Sequence, residues 1–220
     1  MRGRFITFEG GEGTGKSTQA QLLAHRLQAL GHDVLVTREP GGSPGAEAIR
    51  HVLLSGAAKP LGPDAEAILF AAARGDHIRT KIAPALAAGT WVICDRFADS
   101  TRVYQGVLGR VDSRLISSLE RITVGDTKPD LTLILDLPPQ VGLSRAQRRR
   151  GQDMADRFEH EDPNFHEGLR TAYRELAARE PRRCVLIDAN GKPGEVAAAI
   201  WSAVLGRLPQ AMTEPADAAS

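Results

Sequence analysis

The stretch Gly10-Gly11-Glu12-Gly13-Thr14-Gly15-Lys16-Ser17 limits what this chain can fold into more than any other. Its spacing, G-x-x-x-x-G-K-S, fits a phosphate-binding loop. Glycines let the backbone turn so that successive N–H groups point inward at an anion. Lys16 can reach the outer phosphates of a nucleotide, and the Ser17 hydroxyl suits a phosphate-bound Mg2+. The flanks agree with the motif. Phe5-Ile6-Thr7-Phe8 reads as a buried strand, and Ala20, Leu23, Ala24, Leu27 and Leu30 recur at helical spacing after the loop. Strand, glycine loop and helix N-terminus therefore come in the order that phosphate binding requires, with the helix dipole adding to the attraction. Gly10 through Thr18 are accordingly the candidate ATP-contacting residues.

The remainder of the 220 residues has a length suited to one α/β domain, expected over 1–208, with a small, polar, disordered tail at 209–220. Lys+Arg is 28 and Asp+Glu is 27, so no global field attracts a nucleic acid polymer or a membrane. Cys94 and Cys184 each fall in a strand-like apolar run, which suits buried thiols in a reducing compartment. The N-terminus runs straight into the first strand without a signal peptide, and no apolar run approaches the ~20 residues of a membrane helix. A cytoplasmic protein is expected.

Further strands are expected at 33–37, 91–94, 131–137 and 184–187. Helices are expected at 44–54, 64–88, 99–106, 112–123, 164–178 and 194–205, and after Pro138-Pro139 into the cluster Arg145 to Arg150. The second of these should bend near Gly75 and Pro84, with Ile68, Leu69, Ala72 and Ile78 on its apolar face; the first should bury Ala48, Ile49, Val52 and Leu53. Strands alternating with helices imply a parallel sheet covered on both faces, whose ligands bind at the carboxyl ends of the strands. That edge gathers Glu9, the glycine loop, Arg38-Glu39 and Asp95-Arg96.

Phosphate loops of this kind serve GTPase switches, motor ATPases and kinases of small molecules. No guanine-reading N-K-x-D follows the strand that ends at Leu137. The third strand ends in Asp95-Arg96, where a motor ATPase would have a second acid. An arginine there suits the phosphate of an acceptor molecule. Arg38, Arg50 and Arg74 fall near the same edge, and Phe70 precedes Arg74 by one helical turn, so a ring and a guanidinium could hold a planar base. The kinase reading gains from each of these.

Taken in order, Glu9-Gly10, the loop with Glu12, T-R-E-P-G-G at 37–42, F-A-A-A-R at 70–74, D-R-F-x-x-S at 95–100 and Y-Q-G at 104–106 resemble the thymidylate kinase family. R-x-x-R-R-R-G followed by Asp156-Arg157-Phe158-Glu159 resembles that family's mobile lid, here about 145–162. The resemblance spans residues 4 to 206. It implies a nucleoside monophosphate kinase fold, a five-stranded parallel sheet of order 2-3-1-4-5 with helices on both faces, commonly in a homodimer. It also implies transfer of the ATP γ-phosphoryl group to dTMP with Mg2+, a step of dTTP biosynthesis. By matching position, Phe70 would stack on thymine, Arg74 would bind a thymine oxygen, and Ser100 with Gln105 would sit at the base's edge. Arg38 and Arg96, with Arg50 nearby, would face the 5′-phosphate. Tyr104 would crowd the place of a ribose 2′-OH. Glu9 and Glu39 would lie near the sugar or the metal, and Ser17 with Asp95 would support Mg2+.

Three positions depart from the family pattern: Phe97 where Tyr is common, Ala73 where Asp is common, and Ala155 where Leu is frequent. Losing the carboxylate at 73 removes a group that could orient Arg74. Glu12 stands where some family members carry an arginine inside the loop. A carboxylate cannot stabilise the oxygens of a transferring phosphoryl group, so Lys16 and Arg96 need help from the lid, and Arg148 or Arg149 is expected to supply it. No catalytic base is assigned, because the acceptor phosphate already carries a nucleophilic oxygen anion. The rivals are a kinase for another nucleotide, and a regulatory protein that uses ATP as a switch.

Overall fold

Five short apolar runs lie side by side in the computed structural model, which describes residues 2–150 and 161–212, with backbone alone at 149 and 150. They are Phe5–Glu9 (β1), Val34–Arg38 (β2), Trp91–Asp95 (β3), Leu131–Asp136 (β4) and Cys184–Asp188 (β5). All neighbours pair in parallel, in the order β2-β3-β1-β4-β5. The expected order 2-3-1-4-5 is therefore the observed one. The register places Phe8 and Arg38 opposite Asp95, and Glu9 opposite Ile134, so these carboxyl ends share one edge.

The helices are Lys16–Ala29 (α1), Pro44–Leu54 (α2), Gly62–His77 (α3), Ala83–Ala87 (α4), Ala98–Thr101 (α5), Ser113–Thr123 (α6), Pro139–Arg150 (α7), Pro163–Arg179 (α8) and Pro193–Arg207 (α9). Two wider π-helical stretches join this set: Ile78–Ile82 between α3 and α4, just before Pro84, and Arg102–Leu108 after α5. Strand alternation sorts the core into two layers. Ile6, Phe8 and Ile93 pack with Leu23 and Leu27 of α1 and Ile200 and Val204 of α9. Phe5, Val92 and Cys94 face the other way, onto Ile82, Leu86 and Phe97. Both cysteines are free thiols in buried positions, and burial pushes Cys184 up to about 12 and raises Cys94 well above its ordinary value.

Three expectations need correction. In α3 the buried side is Ala67, Ala71, Ala73 and Arg74 together with Glu66 and His77, and Ile78 just beyond is buried too, whereas Ile68 is 49 % exposed and Ala72 is also at the surface. Arg74 and His77 on the inner face both pair with Glu39, outside the helix, so hydrophobic spacing alone points to the wrong side. In α2, Leu53 and Ala46 are buried but Ala48 and Val52 are exposed. At the C-terminal end, Pro209–Met212 form a 3-10 turn in place of a disordered tail. Leu208 and Ala211, three residues apart, are both buried against the first core layer, and the Ala211 carbonyl meets His32 Nε2 at 3.1 Å. Residues 213–220 and most of the expected lid, including Asp156, Arg157 and Phe158, lie outside the described residues.

Candidate active site

The glycine loop has positive φ at Gly10, Gly13 and Gly15, and at the first two a close neighbour also excludes any side chain. At Gly10 (φ 131°) a Cβ would stand 2.5 Å from the Leu135 carbonyl oxygen, and at Gly13 (φ 65°) 1.8 Å from that of Gly142 in α7. Any side chain would push the loop off the strand and helix beneath it. Lys16 is buried at the start of α1 and donates to the carbonyls of Gly10 (3.1 Å) and Gly11 (2.7 Å). Burial first, and Arg96 second, push its ammonium down to about 8, against the pull of Glu12 and Asp95. Ser17 Oγ donates to Asp95 Oδ2, which brings the two candidate metal ligands side by side.

Arg96 follows β3 with φ 68°, a left-handed conformation that costs a non-glycine residue about 1–2 kcal/mol. The turn is held from several sides. Arg96 N–H donates to Phe8 O, and Glu9 accepts from Phe97 N–H (2.8 Å), Ser100 N–H (3.2 Å) and Ser100 Oγ (2.6 Å). Glu9 also accepts from Tyr173 (2.9 Å), is wholly buried, and does not line the cleft. Through these bonds Glu9 holds the turn that carries Arg96 and Ser100. Burial, reinforced by the Asp99 charge, pushes its carboxyl up to about 7.

The Arg96 guanidinium donates to Gly10 O (3.1 Å) and to Glu12, which also accepts from Tyr104 OH (3.2 Å). Burial pushes the Glu12 carboxyl up, but Arg96 and Lys16 outweigh it and hold it below the usual range. The loop carboxylate therefore occupies the arginine expected to face an acceptor phosphate.

Arg74 is the deepest basic group of the cleft, 3 % exposed. Its Nε donates to Glu39 (2.8 Å) and its Nη2 to Phe97 O (3.2 Å) and Thr101 Oγ1 (3.0 Å), which leaves Nη1 without a partner among the described residues. Glu39 replaces the carboxylate missing at Ala73. Its other oxygen lies 3.2 Å from His77 Nδ1, so Glu39, which also lines the cleft, orients Arg74. Phe70 and Arg74 line the same wall, with Ser100, Tyr104 and the buried Gln105 nearby. Arg38 and Arg50 stand at the mouth. Arg38 pairs with Glu47 (3.0 Å), a residue that no motif indicated, and Arg50 donates to Pro40 O across the cis Glu39-Pro40 corner.

This cleft encloses about 200 Å3 on one side of the glycine loop. A second cavity of about 430 Å3 lies on the other, lined by Thr18, Arg145, Asn190 and Lys192, and both are bounded by Gly13 and Gly15. Arg145 is tied to Ala189 O (2.9 Å) and Asn190 O (3.2 Å), so it serves this second cavity. Arg148 is exposed near the end of α7, and the Arg149 side chain lies outside the described residues.

A sequence model of the thymidylate kinase family matches residues 8–200. The chain belongs to the thymidylate kinase family. Thymidylate kinases of Bradyrhizobium diazoefficiens and Rhodopseudomonas palustris are 65% and 64% identical to it, each over 94% of this chain and 91% of the relative. A crystal structure of thymidylate kinase from Ehrlichia chaffeensis superposes with a TM-score of 0.75 at 31% identity, over 93% of this chain and all of that one.

In this member of the thymidylate kinase family, several residues around the site escaped the motifs. Gly142 lets α7 touch the loop, since a Cβ there would lie 2.3 Å from Glu12 O. A glycine inside an otherwise helical run was the available signal. Tyr173 and Thr101 hold Glu9 and Arg74, and His166 lies buried beside the loop with Nε2 unpartnered among the described residues. Nothing in their local sequence marks them.

Proposed function

We propose that this protein phosphorylates dTMP to dTDP with ATP, the cleft holding the acceptor and the second cavity the adenosine end of the donor. The observation that carries this reading is the pair of cavities sharing Gly13 and Gly15, with Lys16 and Arg96 lining the cleft beside that shared loop. It suits in-line transfer. An oxygen of the dTMP phosphate attacks the γ-phosphorus, the bond to the β–γ bridging oxygen breaks, and the electron pair leaves on ADP. Lys16 neutralises the transferring group, and Arg96, exchanging Glu12 for the acceptor phosphate, holds the nucleophile in line. The acceptor's dianion competes with a single carboxylate for that guanidinium. Phe70 stacks on thymine, and Arg74 offers its remaining Nη1 to a base oxygen.

Mg2+ fits the same reading. Ser17 and Asp95 offer hard oxygens beside the loop, and such an ion takes only one or two protein ligands and draws the rest from phosphates and water. Held there, it would offset the negative charge that builds on the transferring phosphoryl group. We place the reaction in the cytoplasm, in keeping with two unpaired thiols, and in a homodimer built on the exposed apolar residues Val52 of α2 and Ile68 of α3.

The test is ADP release from ATP with and without dTMP, against dUMP, dCMP and UMP. Release should depend on the acceptor, with dTMP favoured only modestly over dUMP, since one methyl is worth about 1–3 kcal/mol. Acceptor-independent hydrolysis would support the switch reading instead.

A further inference from the structure

On the far side of α5 from the acceptor cleft lies a groove of about 550 Å3, within the size range of small-ligand pockets. The turn and helix at 97–102 form the partition. Ser100 and Thr101 line the cleft, Ala98, Asp99 and Arg102 line the groove, and Phe97 lines both. The groove's carboxylates are already committed. Asp99 accepts from Arg183 Nη1 (2.6 Å) and Nη2 (3.0 Å), Glu120 accepts from Arg102 Nε (2.8 Å), and Glu180 accepts from Arg102 (2.7 Å) and Arg183 (2.7 Å). Two further cations of its lining, Lys128 and Arg182, are exposed and have no ion pair among the described residues. Arg207 fixes the turn that carries Arg182 by donating to Pro181 O (2.7 Å) and Arg182 O (2.8 Å). Phe97, Val124, Pro129 and Pro181 supply apolar surface between the charges. Apolar surface beside surplus cations, one of them on a fixed turn, suits a dianion carried on an apolar body.

We propose that this groove is a second binding site, for a small phosphate monoester with an apolar body, and that its occupation weakens acceptor binding through α5. The route is short. The Arg74 guanidinium lies 5.3 Å over the Phe97 ring and bonds to both Phe97 O and Thr101 Oγ1. Ser100 and Phe97 N–H groups rest on Glu9. A dianion drawn to Arg183 and Arg102 competes with Asp99, the residue that anchors α5 to the sheet through Arg183 and Thr132. Loosening that anchor displaces Arg74 and Ser100 together. Couplings between such sites are commonly about 5- to 150-fold in affinity.

The experiment uses the full-length, 15N-labelled protein with saturating dTMP and phenyl phosphate as the probe. Saturable shifts should appear at Ala98, Val124, Lys128 and Arg183 amides, and inorganic phosphate at equal concentration should produce smaller ones. The double variant Lys128→Glu, Arg182→Glu should lose them while keeping kcat; Lys128→Gln, Arg182→Gln serves if the reversal does not fold. In the coupled assay, a fixed level of phenyl phosphate should raise the KM for dTMP at least about fivefold more in the parent than in the variant. Simple competition in the cleft would raise both equally and overturn the coupling. Shifts confined to cleft residues such as Phe70 and Gln105, or unchanged in the double variant, would overturn the site. The coupling rests on the acceptor assignment above, whereas the titration does not, so the two can fail separately.

Discussion

Replacing Glu39 by Gln should separate what holds Arg74 in place from what Arg74 does. Both side chains are 4% exposed and meet at 2.8 Å, so the substitution leaves a guanidinium buried with no charge to balance it. Breaking a buried pair from one side costs about 3–5 kcal/mol, and the lower end applies because a Gln oxygen still accepts from Nε. Each kcal/mol moves Tm by about 2–4 °C in a chain of this length, so the loss should be about 6–12 °C. Arg74 keeps its bonds to Phe97 O and Thr101 but gains freedom to swing. The KM for dTMP should therefore rise about tenfold with kcat within a few-fold of the parent. A double variant, Glu39→Leu with Arg74→Met, removes both charges and should regain most of the lost Tm without regaining dTMP affinity. Thermal unfolding and steady-state kinetics on the three proteins decide the matter. A Tm loss below about 2 °C for Glu39→Gln, or a double variant no more stable than the single one, would refute the argument.

Lys16→Ala should abolish most turnover and leave Tm unchanged or higher, since it removes a charge that burial disfavours; near-normal ADP release would place the phosphates elsewhere. With the Lys16 ammonium pushed down to about 8, kcat/KM for ATP in the parent should fall above that pH, while kcat holds further because bound phosphates restore the charge. The folded-state value lies below the ordinary 10.5, so the unfolded chain binds more protons between the two, and this group's contribution makes stability rise with pH across that window; Lys16→Met should flatten the rise in pH-dependent melts. Gly142→Ala puts a methyl 2.3 Å from Glu12 O and should raise the KM for ATP at least about tenfold, and a value within twofold of the parent would show that α7 yields instead. Arg148→Ala with Arg149→Ala should lower kcat by about 10³ with a much smaller change in KM for dTMP; retention of kcat within a few-fold would turn attention to Arg157.

The glycine loop, its strand and its helix were legible from local sequence, because a backbone that must cradle an anion has few solutions and its glycines advertise them. Alternating strands and helices led equally to a parallel sheet, and the sheet's own geometry put Glu9, Arg38 and Asp95 on one edge. Which side chains then meet was a different matter. Glu39 and Arg74 pair across 35 positions, and Glu12 and Arg96 across 84. Neither spacing leaves a periodic trace. The inner face of α3 was misread for the same reason: Arg74 and His77 are buried by satisfying Glu39, and hydrophobic patterning counts them as surface. Periodicity registers the water that a residue avoids. It does not register the partner with which a charge enters the interior, and only the assembled sheet and its covering helices bring those partners within hydrogen-bond reach.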